Sequence, residues 1–290
     1  MTIIVTMTKL SLTIAAGFWL NKRGILDAET CKKLSSMIVN FTSPLLIISS
    51  AVQISGGRQS DILLMLVSGL ILYCTFPPVS ALVIRLMGVP SGCRGIYRSM
   101  LIHANVAFMG YPVVQALYGE TSIFYTTIFN LGFNLLFYSY TLFLLDRDAG
   151  QTGSFNPKRL LNSGTIAAFL ALMIPFSGIT LPDIILQPCS FMGNVTTPLS
   201  MLIIGSNMAN YPLHDIFSEK KIYVITAVRL LVMPLLTALY MSLLTDNALL
   251  ICMTSMTMGM PIASMVAMAG SKYEKQGRIG SISVVMTTLC

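Results

Sequence analysis

Charge is scarce in this sequence. Lys, Arg, Asp and Glu make up 10% of its 290 residues, against about 25% in an ordinary soluble domain. Low-complexity stretches are missing as well, and no soluble module is expected beside the apolar body. None of the eleven acidic residues sits securely in the middle of an apolar run, which weakens any mechanism that loads protons or sodium on buried carboxylates. The six cysteines (Cys31, Cys74, Cys93, Cys189, Cys252, Cys290) have neither C-x-x-C nor metal-ligand spacing and read as small hydrophobes. No metal site and no cofactor are expected. HExxH and GxSxG are absent, and so is an aspartate pair within a span; no catalytic residue is assigned and an intramembrane enzyme is not expected. No signal-peptide cleavage pattern is found at the N-terminus.

What is present is apolar. Hydrophobic residues reach 54% and the mean hydropathy is +0.77. Runs of about 20 apolar residues follow one another along almost the whole chain, as in a polytopic helical membrane protein. Ten spans are predicted, near 2–20, 32–53, 61–84, 96–118, 121–145, 160–177, 184–207, 219–242, 247–270 and 278–290. The last holds only about a dozen residues where a span needs about 20, so helix 10 is expected to be truncated, as in a fragment; an interfacial or re-entrant end is the alternative.

Loop charge gives an orientation. The connections after spans 1, 3, 5, 7 and 9 carry fifteen Lys and Arg residues, including Lys22, Arg98, Lys158, Arg159, Lys221 and Lys272, whereas the other connections carry only Arg58. The positive-inside rule then puts the first set in the cytoplasm and the N-terminus outside, in a multi-pass protein of the cell membrane. The same distribution accounts for most of the net charge of +7 and removes any need for a nucleic-acid partner.

Two motifs recur. Met109-Gly110-Tyr111-Pro112 returns as Met258-Gly259-Met260-Pro261, and Asn40-Phe41-Thr42-Ser43-Pro44-Leu45 as Asn194-Val195-Thr196-Thr197-Pro198-Leu199, at offsets of 149 and 154 residues. Such matches mark two copies of one unit. With five spans each, the second copy enters the membrane in the opposite sense. The predicted fold is thus all-α, with ten transmembrane helices in two inverted five-helix repeats: 1–145, a cytoplasmic linker 146–163, and 164–290, incomplete at its C-terminus.

Gly and Pro inside spans 4 and 9 predict broken helices, tolerated in a membrane where the break is buried or lines a cavity. Proline suits the first turn of a helix, so new half-helices are expected to begin at Pro112 and Pro261. Their N-termini would meet near the midplane and favour an anion, most simply a carboxylate. Two ordinary proline kinks are the alternative. Asn105, Gly110, Tyr111, Pro112, Thr257, Gly259 and Pro261 are the candidate substrate-binding residues on these spans. Asn40 and Asn194, beside Pro44 and Pro198, either line the cavity or bond neighbouring helices. Arg229 in span 8 is expected to snorkel to the cytoplasmic surface. His103 either carries a proton or packs, the latter being favoured.

Gly24-Ile25-Leu26-Asp27, Asn40 through Leu46, Asn105 with Gly110-Tyr111-Pro112, Thr197-Pro198-Leu199 with Gly205, and Pro261 resemble, in order and spacing, the auxin efflux carrier family of plant and bacterial permeases. The resemblance covers essentially the whole chain. It implies helices 4 and 9 crossing at their prolines, and a bundle of helices 1, 2, 6 and 7 facing a moving transport bundle. It also implies export of small organic anions such as malate, malonate or auxin by alternating access, substrate contacts at Asn105, Pro112 and Pro261, and a homodimer. The expected partners are thus a small organic anion, the lipid bilayer and a second copy of the chain. A sodium-coupled organic-anion symporter of the same fold, or a non-transporting membrane sensor, is the alternative.

Overall fold

A computed structural model describes residues 2–52, 59–151, 160–177, 182–210, 219–270 and 272–290. All of the regular structure described is helical. In chain order the helices are α1 (Thr2–Lys22), α2 (Ala28–Val52), α3 (Gln59–Leu86), α4 (Arg94–Ile102), α5 (Val106–Tyr118), α6 (Thr121–Phe129) and α7 (Leu131–Asp148). They continue as α8 (Ser163–Ser177), α9 (Asp183–Asn194), α10 (Thr196–Ala209), α11 (Lys220–Ser242), α12 (Ala248–Met258), α13 (Ser264–Gly270) and α14 (Glu274–Leu289). Each predicted apolar run coincides with one helix or one pair. Runs 4, 5, 7 and 9 are pairs, interrupted at His103–Asn105, Asn130, Val195 and Gly259–Ala263. Arg58, Lys158, Arg159, Asp215 and residues 152–159 of the predicted linker lie outside the described residues.

Among the described residues, α2, α3 and α11 are long and apolar enough to cross a membrane, and α6 with α7, bent by 41° at Asn130, make a fourth candidate. The sequence alone gives no cue to the break at Val195, where φ −65 and ψ −23 stay near helical values.

The chain forms two compact units that each draw on both halves of the sequence. The first comprises residues 1–65, 107–128 and 162–212, hence α1, α2, α8, α9, α10 and most of α5 and α6. Its tightest contact joins α1 to α10, where Gly17 lies on the backbone of Leu202 and Gly205 on the backbone of Ile14. In a membrane, small residues of this kind let helix backbones approach, because lipid supplies no hydrophobic drive for association. Ser206 Oγ donates to Leu26 O at 2.7 Å and accepts from Asn21 Nδ2 at 2.9 Å, which fixes the register of α10 against the turn after α1. Leu26, Cys31, Ile38, Phe108, Met201, Ile203 and Ile204 form the core around it.

The second unit comprises residues 66–106, 129–161 and 213–290, hence most of α3 with α4, α7 and α11 to α14. Here α11 packs on α12, with Ser255 Oγ donating to Pro234 O at 2.8 Å, and α13 packs on α14. Gly95 and Asp148 join α4 to α7 through a hydrogen bond from the Gly95 N–H to the Asp148 carboxylate.

Three helices widen by one residue just before a proline. The wide turns Ile38–Thr42, Val106–Gly110 and Val228–Val232 each end two residues before Pro44, Pro112 and Pro234. In α2 the Ser43 N–H reaches back five residues to Ile38 O, and in α11 Met233 N–H reaches Val228 O. A proline ring collides with the carbonyl four residues earlier and offers no N–H to it. Widening the preceding turn moves that carbonyl aside, so the helix continues through the proline.

Candidate functional site

The site sits in the second unit, where two helices stop and their chains cross in extended form. α4 ends at Ile102 because His103 turns extended, at φ −102 and ψ 110. α12 ends at Met258, and residues 259–263 lead to α13. Ala104 and Ile262 pair antiparallel at the crossing. Asn105 N–H donates to Pro261 O at 2.8 Å, and Ala263 N–H donates to His103 O at 3.0 Å. Extended backbone in an apolar interior must satisfy its polar groups on another chain segment, and each segment does this for the other. Pro261 fits there because no partner is required of the N–H it lacks.

Two further side chains complete the crossing. Ile262 N–H donates to Thr287 Oγ1 of α14 at 3.1 Å. Thr287→Val keeps the shape of the side chain and orphans that buried N–H, which costs about 1–3 kcal/mol. The expected result is a lowered thermal midpoint of the detergent-solubilised protein, and a wild-type midpoint would contradict the bond. Arg229, 0% exposed, donates from Nη1 to Leu101 O at 2.8 Å and from Nε to Met260 O at 3.2 Å. Those carbonyls close the C-terminal ends of α4 and α12, where a cation opposes the helix dipole. Its Nη2 has no partner among the described residues.

Snorkelling of Arg229 is therefore corrected. The residue lies nine positions into α11, about 14 Å along the axis from Lys220 at 1.5 Å per residue, and its guanidinium turns inward to Leu101 O and Met260 O. The sequence signal was available in that count.

Asn105, 3% exposed, reaches Ser264 Oγ from Nδ2 at 3.5 Å, a long contact. Among the described residues its side-chain amide has no other partner. A nearly buried amide with unused donor and acceptor capacity is the group at the crossing best placed to take a ligand. Thr257 also belongs to this unit, but its hydroxyl donates to Met253 O at 2.7 Å within α12. Gly259 bonds back to Ser255 O at 2.9 Å and faces the Pro234 ring, which a Cβ would meet at 3.2 Å. It serves the packing of α12 on α11. His103 packs, with Nε2 2.7 Å from Thr141 Oγ1 and its ring edge-on to Phe133 and Phe137.

The break in helix 4 is not where the proline predicts it. The new half-helix begins at Val106, and Pro112 lies eight residues beyond Ala104, inside α5. The wide turn before it absorbs the ring clash, so Gly110, Tyr111 and Pro112 continue the helix in the first unit. Tyr111 OH pairs there with Thr127 Oγ1 at 3.0 Å. Helices 4 and 9 cross at Ala104 and Ile262, beside Pro261 but away from Pro112. The paired positions are 158 residues apart, so the tetrapeptide offset of 149 does not mark the crossing.

Asn40 and Asn194 also lie in the first unit. Asn40 is exposed, donates to Ser36 O at 3.0 Å and accepts from Ser163 Oγ at 3.1 Å. Asn194 accepts from Gln115 Nε2 at 2.9 Å, and Gln115 accepts from Thr197 Oγ1 at 3.1 Å. Thr196 Oγ1 donates to Thr42 Oγ1 at 2.8 Å across 154 residues. The recurring N-x-T-x-P motifs thus meet at their threonines. Gln115 stands out in the sequence as a polar residue three places after Pro112, but its pairing with the second motif depends on how the helices pack and is not legible along the chain.

Apolar helices interrupted in pairs, with the broken ends crossing inside one unit, define the class of helical membrane proteins to which secondary transporters belong. The sequence profile of the membrane transport protein family matches residues 2–290. The chain belongs to that family, that of the auxin efflux carriers, and is a transporter rather than an enzyme. An uncharacterized transporter of Methanothermobacter thermautotrophicus is 25% identical over 285 residues, covering 98% of this chain and 93% of its own length.

Proposed function

We propose that this chain is a secondary transporter that moves small organic anions across the cytoplasmic membrane by alternating access, with its N-terminus outside. The crossing is the observation that carries this reading. It holds a nearly buried amide, Asn105, which among the described residues makes only the long contact to Ser264. Arg229 adds a buried positive charge to the same unit. Every acidic residue among those described lies at a helix end or in a connection, so no fixed carboxylate competes with an anionic ligand. Asn105 offers a donor in the field this produces. The fifteen basic residues on alternate connections support the orientation.

Replacing Asn105 by Ala removes one hydrogen bond to a charged ligand, worth about 1.5–3 kcal/mol. The expected result is a KM for malate, malonate or an indole carboxylate raised by about tenfold to a hundredfold. Uptake into proteoliposomes measures it, and an unchanged KM for a transported acid removes Asn105 from the site.

A further inference from the structure

We propose that the groove between α3 and α11 holds one anionic phospholipid, with an acyl chain on its apolar wall and the phosphate at Arg98. Phe76, Val79 and Val83 of α3, Ile102 of α4, and Val228 and Met233 of α11 line a groove of about 250 Å³, counted with its open side. Ser80 is the one polar residue among those lining it, and its hydroxyl is spent on Pro77 O at 3.0 Å. Such a wall suits a hydrocarbon chain and offers nothing to a polar solute. Val79 is 49% exposed, so the groove opens at the surface of the helices, where lipid lies.

The charge beside the groove selects the lipid. Arg98 Nη2 donates to the same Pro77 O at 3.1 Å and to Tyr140 OH, which sets the guanidinium next to Ser80. Its Nε is buried and has no partner among the described residues. Asp148, on the helix of Tyr140, accepts from the Gly95 N–H, and no described carboxylate forms an ion pair with Arg98. A half-buried guanidinium without a counter-anion attracts one from outside the chain, and a phosphate matches its planar fork. A choline headgroup would bring a second cation to it. Arg98 lies four residues into α4, about 6 Å from its first residue, the depth of the headgroup layer that flanks a hydrocarbon core of about 30 Å. In the orientation proposed above this leaflet is the cytoplasmic one, where anionic lipid gathers; the site stands in either orientation.

The groove also touches what holds the crossing. Leu101 lines it and gives its carbonyl to Arg229, while Val228 and Met233 flank the wide turn that carries Arg229. A lipid seated here packs against both anchors and steadies them.

Thermal midpoints of the delipidated protein in detergent test this, with phosphatidylglycerol, phosphatidylcholine of the same chains, and glycerol phosphate as probes. Wild type is compared with Arg98→Gln, with Val79→Trp, which fills the groove and keeps the charge, and with Arg85→Gln, which removes an exposed cation outside the groove. Phosphatidylglycerol is expected to raise the midpoints of wild type and Arg85→Gln by about 3 °C or more above their values in phosphatidylcholine. Arg98→Gln and Val79→Trp are expected to lose that difference, and glycerol phosphate is expected to shift none of the four.

Equal wild-type midpoints in the two lipids would overturn the proposal, and so would a difference that survives in either Arg98→Gln or Val79→Trp. A difference that Arg85→Gln also abolishes would mean general surface charge, and a shift by glycerol phosphate as large as that by the lipid would mean a free phosphate ligand; each overturns it. If Arg98→Gln does not fold, Val79→Trp decides. Transport of organic acids enters none of these readings, so the carrier proposal stands or falls separately.

Discussion

Uptake of organic anions is expected to fall about a thousandfold in Asn105→Asp while the protein keeps its fold. The side chains are nearly the same size, and the Asn105 amide contributes only the long contact to Ser264 to the structure. The difference lies in charge. A carboxylate at this position would face an anionic ligand at about 4 Å, and two unit charges at that distance repel by about 4 kcal/mol at an effective dielectric constant of about 20. At about 1.4 kcal/mol per factor of ten, this amounts to about three orders of magnitude. Asn105→Ala loses only a donor and is expected to be far milder. The order of the two variants is thus diagnostic: it separates an anion at the crossing from a neutral ligand, for which Asn105→Asp would be the gentler change. Kinetics of both variants, with folding checked by thermal midpoint, would show which holds.

Gly205→Val is expected to prevent assembly of the first unit. A Cβ at Gly205 falls on the carbonyl of Ile14 and against the Phe18 nitrogen, while one at Gly17 falls on the backbone of Leu202. Backbone cannot rotate out of the way as a side chain can, so α1 and α10 must separate. Separation also opens the bond that Asn21 donates to Ser206 and the bond that Ser206 donates to Leu26 O. Overpacking alone costs about 1–3 kcal/mol or more, a large share of a typical stability of about 5–15 kcal/mol. Loss of monodisperse protein, or a collapse of the thermal midpoint, is the expected readout. Gly92→Ala is the control, because its added methyl meets only Asp148 O at an ordinary 3.5 Å. A wild-type midpoint for Gly205→Val would show that the two helices do not pack at these glycines.

Helices were legible in the sequence because apolar runs in this chain are long and their ends are marked by charge. The pair of breaks was legible too, but only one of the two was placed correctly. Pro261 sits at the crossing because an extended residue without an N–H suits it, and that property can be read from the residue alone. The break at His103–Asn105 contains neither Gly nor Pro. It exists because Pro261 O and Ala263 N–H are there to satisfy it, and a tertiary partner leaves no local trace. Pro112 misled for the complementary reason: a proline predicts a break only if the preceding turn cannot widen, and here it does.

The polar residues divide in the same way. Asn105 was legible as an amide without obvious duties in lipid, and among the described residues its side chain makes only the long contact to Ser264. Thr257 was named on proximity, while its hydroxyl is used within its own helix. Arg229 was seen and misassigned, although its depth in α11 argued against snorkelling. Asn194 turned out to be tied to Gln115 and Ser190, a network that depends on how α5 meets α9 and α10 and that spacing along the chain does not reveal.

The measurement that tests the central claim most directly is uptake of labelled malate, malonate and an indole carboxylate into proteoliposomes under an imposed membrane potential, with wild type beside Asn105→Asp. The account predicts saturable uptake of at least one acid by wild type, faster when the interior is positive, and almost none by the variant. Uptake that is equal in the two proteins, or no uptake of any acid by folded and correctly inserted wild type, would contradict it.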